Sequence, residues 1–169
     1  QEKAYPIPKD DYFSSGFVPN FNLQKLANLG GSTGAELMLD PSGEKLVRKF
    51  GASNGHIINE FEANKIYRSL GVPVPDHSLN KTPQGRSFML SKYLEGGTSL
   101  GTYMRSALPG EKDNIMKQIQ SRAAKIALMA DWDAIGMSQD NMMVDKKGKV
   151  VQIDSGGALR YRAQGGLKG

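Results

Sequence analysis

An α+β fold is expected from three observations. Short apolar runs separated by glycine turns fill much of the first hundred residues, two stretches carry helical periodicity, and a β-hairpin near the C-terminus is flanked by Asn141 and Asp154. Short runs bounded by Gly, Pro, Asn and Asp read as strands, while apolar residues recurring every three or four positions read as helix. With 169 residues the chain is about one domain, long enough for a core but short for a two-lobed enzyme.

Residues 1–22 hold Pro6, Pro8 and Pro19 among scattered aromatics with neither period, so an extended N-terminal arm is expected there. Leu26 to Leu29 reads as a strand, Gly30-Gly31-Ser32-Thr33-Gly34 as a turn and Ala35 to Leu39 as the returning strand. After the Asp40-Pro41-Ser42-Gly43 turn, Lys45 to Phe50 completes a three-stranded meander. His56 to Leu70 has Ile57, Phe61, Ala63, Ile66, Tyr67 and Leu70 at helical spacing, with Ser53 or Asn54 to cap it and Gly71 to stop it.

Val72-Pro73-Val74-Pro75 cannot continue that helix. Arg86 to Leu94 is an apolar strand closed by Glu95-Gly96-Gly97, and Leu100 to Ala107 a short helix. Glu111 to Ala130 is a long helix with an expected stripe of Ile115, Ile119, Ala123, Ile126, Ala127 and Ala130. The loop from Asp131 to Asp140 leads into Met142 to Val144, a Lys-Gly turn, and the strand that ends at Asp154.

Composition narrows the chemistry. There is no cysteine, which removes disulfides, thiolate metal sites and cysteine nucleophiles, and with His56 and His77 as the only histidines a multi-histidine metal centre is not expected. What remains are carboxylates, amides, lysines and backbone groups. The net charge of +5 is spread along the chain, which favours a solvated surface over a nucleic-acid partner, and no apolar run reaches the roughly 18 residues of a membrane span. A start on Gln1 rather than Met reads as a cut N-terminus, so a lost targeting segment stays open.

Asn141 and Asp154 close the two ends of one hairpin, thirteen positions apart, where both side chains can reach the same divalent cation. Magnesium takes hard oxygen ligands, commonly one or two from protein together with phosphates and water. Alone, Gly31-x-x-Gly34 is a turn and Lys49 a strand-edge charge. Their order changes the reading: a glycine loop between strands, a lysine on the next strand, an acidic helix, an apolar strand ending in Tyr93-Leu94-Glu95-Gly96-Gly97, a long helix, then Asn and Asp around a hairpin.

In that order the parts resemble the protein-kinase superfamily over roughly residues 26–157. The resemblance implies a protein-kinase-like fold with a small antiparallel-sheet lobe at about 23–92 and a reduced, mostly helical lobe at about 93–169. It implies ATP and magnesium as cofactors, with Gly30, Gly31, Ser32, Thr33 and Gly34 around the phosphates and Lys49 on the α- and β-phosphates. Lys49 would be oriented by Glu60 or Glu62. Glu60 is preferred because Asn59-Glu60, followed by a helix ending in Leu70-Gly71, resembles the same stretch of HipA-like kinases. Backbone groups of Lys92 and Leu94 would meet the adenine edge, and Asn141 and Asp154 would hold the metal.

Two departures stand out. Asp154-Ser155-Gly156 occupies the place of the Asp-Phe-Gly motif, and the position five before Asn141, an Asp in eukaryotic-type kinases, is Gly136. The base is therefore sought at Asp133, with Asp140 as competitor, and Asp131 is expected to cap or hold the loop. This loop resembles HipA-like and lipid-kinase-like enzymes more than ordinary Ser/Thr kinases. With no Ala-Pro-Glu segment after Asp154, the chain reads as a minimal kinase of bacterial effector or toxin type, or as part of a larger one. Expected is an ATP- and magnesium-dependent phosphotransferase acting on protein Ser or Thr, soluble, and cytoplasmic or secreted. A small-molecule or lipid kinase and a non-catalytic nucleotide-binding module are the alternatives.

Overall fold

The computed structural model describes residues 22–31, 33–131 and 141–169. These form an α+β fold in the order β1 (Gln24–Gly30), β2 (Ala35–Leu39), β3 (Lys45–Lys49), α1 (Asn54–Ser69), β4 (His77–Lys81), β5 (Ser87–Lys92), β6 (Thr98–Ser99), α2 (Leu100–Ser106), α3 (Pro109–Leu128), β7 (Met142–Val144) and β8 (Val150–Gln152). One antiparallel sheet has the order β1-β2-β3-β5-β4, and a smaller one the order β6-β7-β8. Most of the expected arm, residues 1–21, lies outside the described residues.

The expected meander is the first half of the larger sheet, but strand β4 has no counterpart in the sequence reading. His77-Ser78-Leu79-Asn80-Lys81 carries a single apolar residue, so no alternation marks it. Yet its first four residues are buried, because the run pairs with β5 from His77↔Ser91 to Lys81↔Ser87. Its polar groups find partners locally: the His77 ring bonds to Pro75 O at 2.9 Å, and Asn80 Nδ2 donates to Ser78 Oγ at 3.1 Å. Tertiary pairing here overrides local preference.

Helix α1 begins where Ser53, in extended conformation, accepts a hydrogen bond on its hydroxyl from the His56 N–H at 3.1 Å. It ends at Gly71, whose φ of 77° suits a residue without Cβ. Ile57 and Phe61 pack on Leu79 and Met89 of the sheet. The buried face is unusually polar, since His56, Asn59, Glu60 and Asn64 share it with these apolar residues. Polar groups at such positions persist only with partners, and those partners define the site.

Helix α3 opens at Pro109, with Glu111 Oε2 accepting the Leu108 N–H at 2.8 Å. Its inward stripe differs from the expected one. Ile115, Arg122 and Met129 are buried with Ile119 and Ile126 half-buried between them, whereas Ala123 and Ala127 are exposed. Arg122 occupies a core position where its guanidinium donates to Val150 O at 2.9 Å.

Two core clusters fix the hairpin. Leu100, Ile115, Met142, Val144 and Val150 join α2 and α3 to β7 and β8. Ala63, Tyr67, Val72, Val74, Met129 and Ala158 join α1 to the end of α3 and to the segment after Asp154. Among the described residues no helix is long and apolar enough to cross a membrane.

Candidate active site

Antiparallel pairing places Lys49 opposite Ala35 on one side and Met89 on the other. From there its ammonium reaches Glu60 Oε1 at 2.9 Å and Asp154 Oδ1 at 3.1 Å. Three residues far apart in sequence thus share one point, with Glu60 fully buried, Lys49 11% exposed and Asp154 37% exposed towards the cleft. Glu62, the alternative partner, is not brought there. Two residues along a helix it turns about 200° away, where it is 45% exposed and 3.7 Å from Lys65.

Burial by itself would lower the Lys49 pKa, but the charges of Glu60 and Asp154 outweigh it and hold the ammonium above its ordinary value. For Glu60 burial is the largest influence and pushes its carboxyl up, against the pull of Lys49 and the Ser155 N–H. Burial also acts to raise Asp154, but there the Lys49 charge and the Gly156 N–H prevail and its pKa is lowered. One lysine between two carboxylates therefore keeps its charge, and the two acids shift in opposite directions, Glu60 upward and Asp154 downward.

The hairpin delivers Asp154. The Asn141 carbonyl accepts the N–H groups of Ile153 at 3.0 Å and Asp154 at 3.3 Å, which joins its two ends. The Gly156 N–H then donates to Asp154 Oδ1 at 3.0 Å and turns the carboxylate towards Lys49.

A cleft of about 350 Å³ runs between the two sheets. Leu29, Gly30, Gly31 and Thr33 of the β1–β2 turn, with Ala35 and Val47, form one wall. Asn141, Met143, Ile153 and Asp154 line the hairpin side, Met89 and Asn64 the rear, and Lys92, Tyr93 and Leu94 the exit of β5. Lys49 lines it together with Asp154, so both metal candidates and the lysine open on the same space.

The glycine loop is only partly brought to this cleft. Gly30, Gly31 and Gly34 have φ of 78°, 84° and 68°, and an added Cβ at any of them would meet nothing within 4 Å. Glycine is thus required for backbone conformation rather than room, and Gly34 serves the turn by donating its N–H to Gly31 O at 3.3 Å. Ser32 lies outside the described residues, as do both base candidates, Asp133 and Asp140.

On the β5 exit, the Lys92 N–H donates to Asp76 O at 2.8 Å and the Leu94 carbonyl accepts from the Gly97 N–H at 3.1 Å. Asp131, expected to cap or hold the loop, accepts the Tyr67 hydroxyl on Oδ2 at 2.7 Å while almost wholly buried, so it holds the loop's first residue to α1.

Sequence reasoning missed His56, Asn59 and Asn64 as site neighbours. Their signal was present: with Glu60 they recur at helical spacing on the face that also carries Ile57 and Phe61, so polar residues were destined for the interior. No protein-family model matches this chain, and no curated protein matches its sequence.

Proposed function

We propose that this chain is an ATP- and magnesium-dependent phosphotransferase with a protein-kinase-like fold: a small lobe built on the five-stranded sheet and a reduced helical lobe. The supporting observation is the convergence of Lys49, Glu60 and Asp154 within hydrogen-bond distance at the wall of a cleft that Asn141 also lines. Such a cleft suits a nucleotide, with apolar walls for a base and the Lys49 charge for phosphates.

In this reading Glu60 fixes the Lys49 ammonium on the α- and β-phosphates, and the apolar residues Leu29, Val47, Met89, Met143 and Ile153 enclose the base. Asn141 and Asp154 offer hard oxygens suited to magnesium. Since Asp154 Oδ1 already accepts from Lys49 and Gly156, Oδ2 is left for a metal. An ion held by these two residues would supply positive charge against the phosphates during transfer. Asp133 acts as base, with Asp140 its competitor: it takes the acceptor hydroxyl's proton as that oxygen bonds to the γ-phosphorus and ADP departs. The acceptor is a Ser or Thr of a protein, and the enzyme an atypical kinase of effector or toxin type.

Calorimetric titration with ATP tests the nucleotide assignment. Binding that tightens with magnesium is expected, and Asp154→Ala should lose the magnesium increment. Absence of ATP binding to the intact chain, with or without magnesium, overturns the proposal.

A further inference from the structure

Helix α1 touches the segment after Asp154 through side chains that orientation of Lys49 does not need. His56 is fully buried, and its ring bonds to Gly156 O through Nε2 at 3.0 Å. The Ala52 N–H donates to Nδ1 at 3.1 Å, and since a backbone N–H can only donate, Nδ1 is the acceptor and the ring proton sits on Nε2. His56 is thereby a donor to Gly156.

One turn on, Asn59 donates from Nδ2 to Ala158 O at 2.9 Å and accepts the Arg160 N–H on Oδ1 at 3.3 Å. Between these anchors Leu159 is held at a φ of 55°, a conformation a β-carbon disfavours, with its N–H on Met129 O at 2.7 Å. The ring of Tyr161 packs on His56 at 5.5 Å between centroids. Ser155, between Asp154 and the first anchor, is fully buried, and its N–H faces Glu60.

We infer that His56 and Asn59 are positioning residues: by holding the backbone of 156–160 against α1, they fix Asp154 relative to Glu60 and so keep the three-residue cluster around Lys49 assembled without a separate activating event. The functional consequence rests on the phosphotransferase reading; the physical latch does not. An outward swing of α1 would separate Lys49 from Glu60 only by also breaking three polar links to the 156–160 segment. With Ser155 small and buried, those links take over the coupling of α1 to the Asp154 segment that a large side chain at that position could provide.

The test compares wild type with His56→Leu, His56→Gln, Asn59→Ala and the double variant His56→Leu/Asn59→Ala. Leu fills the ring's space and cannot donate, whereas Gln carries a donor to the Nε2 position. Amide hydrogen exchange is read on residues 54–60 and 155–160. Expected is a joint loss of protection in both segments in His56→Leu and Asn59→Ala, restored in His56→Gln; loosening of 155–160 with α1 unchanged overturns the latch.

The kinetic arm expects kcat to fall on the order of 10- to 100-fold in His56→Leu, as displacement of catalytic groups by about 1 Å does. KM for ATP should change little, because the base walls lie elsewhere, and His56→Gln should recover kcat. Unchanged kcat in both single variants overturns the positioning role. If the double variant does not fold, the single variants decide. If wild type shows no turnover, the functional reading fails while exchange still decides the latch.

Discussion

The Lys49 ammonium lies 2.9 Å from Glu60 Oε1, and the carboxylate it meets has no exposure to solvent. Such a pair is asymmetric in its consequences. Losing one partner strands a buried charge, whereas losing both does not.

Lys49→Met should therefore destabilise the fold by about 3–5 kcal/mol, the range for breaking a buried pair from one side. Lys49 lines the cleft, but the full burial of Glu60 ties it to the stability of the fold as well. The double variant Lys49→Met/Glu60→Gln should regain most of the stability and none of the turnover. Thermal denaturation of the two variants beside wild type is the check.

Asp154 is expected to behave in the opposite way. Its side chain is 37% exposed towards the cleft, and Asp154→Asn keeps a Gly156 acceptor, so the variant should lower the melting temperature only modestly at neutral pH. Phosphoryl transfer should fall about 10²- to 10³-fold, as when a preorganised electrostatic group is removed. A large stability loss with transfer intact would make Asp154 a structural turn residue.

The two acids should leave opposite marks on the pH dependence of stability. Burial raises Glu60 above its ordinary 4.5, so the folded state holds that proton more tightly; its contribution is complete below about 4.5 and declines as pH rises through the folded value. The melting-temperature difference between wild type and Glu60→Gln should then move in favour of the Gln variant as pH rises above about 4.5. Asp154 is lowered below 3.8 because Lys49 and Gly156 outweigh its burial, so its contribution is present above about 3.8 and is lost on further acidification. The wild-type advantage over Asp154→Asn should shrink in that acid window.

Tyr67→Phe removes one hydrogen bond to Asp131, 2.7 Å long and fully buried on the tyrosine side. A cost of about 1–3 kcal/mol is expected from weakening the satisfaction of a buried carboxylate. Chemical denaturation measures it, with an unchanged midpoint as the contrary result.

Much of this arrangement was legible because its parts are punctuated locally. Ser53 and Gly71 bracket α1, and Gly43 and Gly148 turn two hairpins. Strand β4 was not legible, since His77, Ser78 and Asn80 are buried only because β5 lies beside them. Arg122 was hidden for a similar reason: its acceptor, Val150 O, is 28 residues away. The His56 and Asn59 contacts span about a hundred residues to backbone carbonyls, which carry no sequence signature at all.

Transfer of the γ-phosphate from labelled ATP, in magnesium and a cell lysate separated into protein, lipid and metabolite fractions, tests the central claim most directly. Label in protein that requires magnesium and disappears in Asp154→Ala is the expected result, and label confined to lipid or metabolite would move the acceptor. No transfer to any fraction, or equal transfer by wild type and Asp154→Ala, would contradict a phosphotransferase built on Lys49, Glu60 and Asp154.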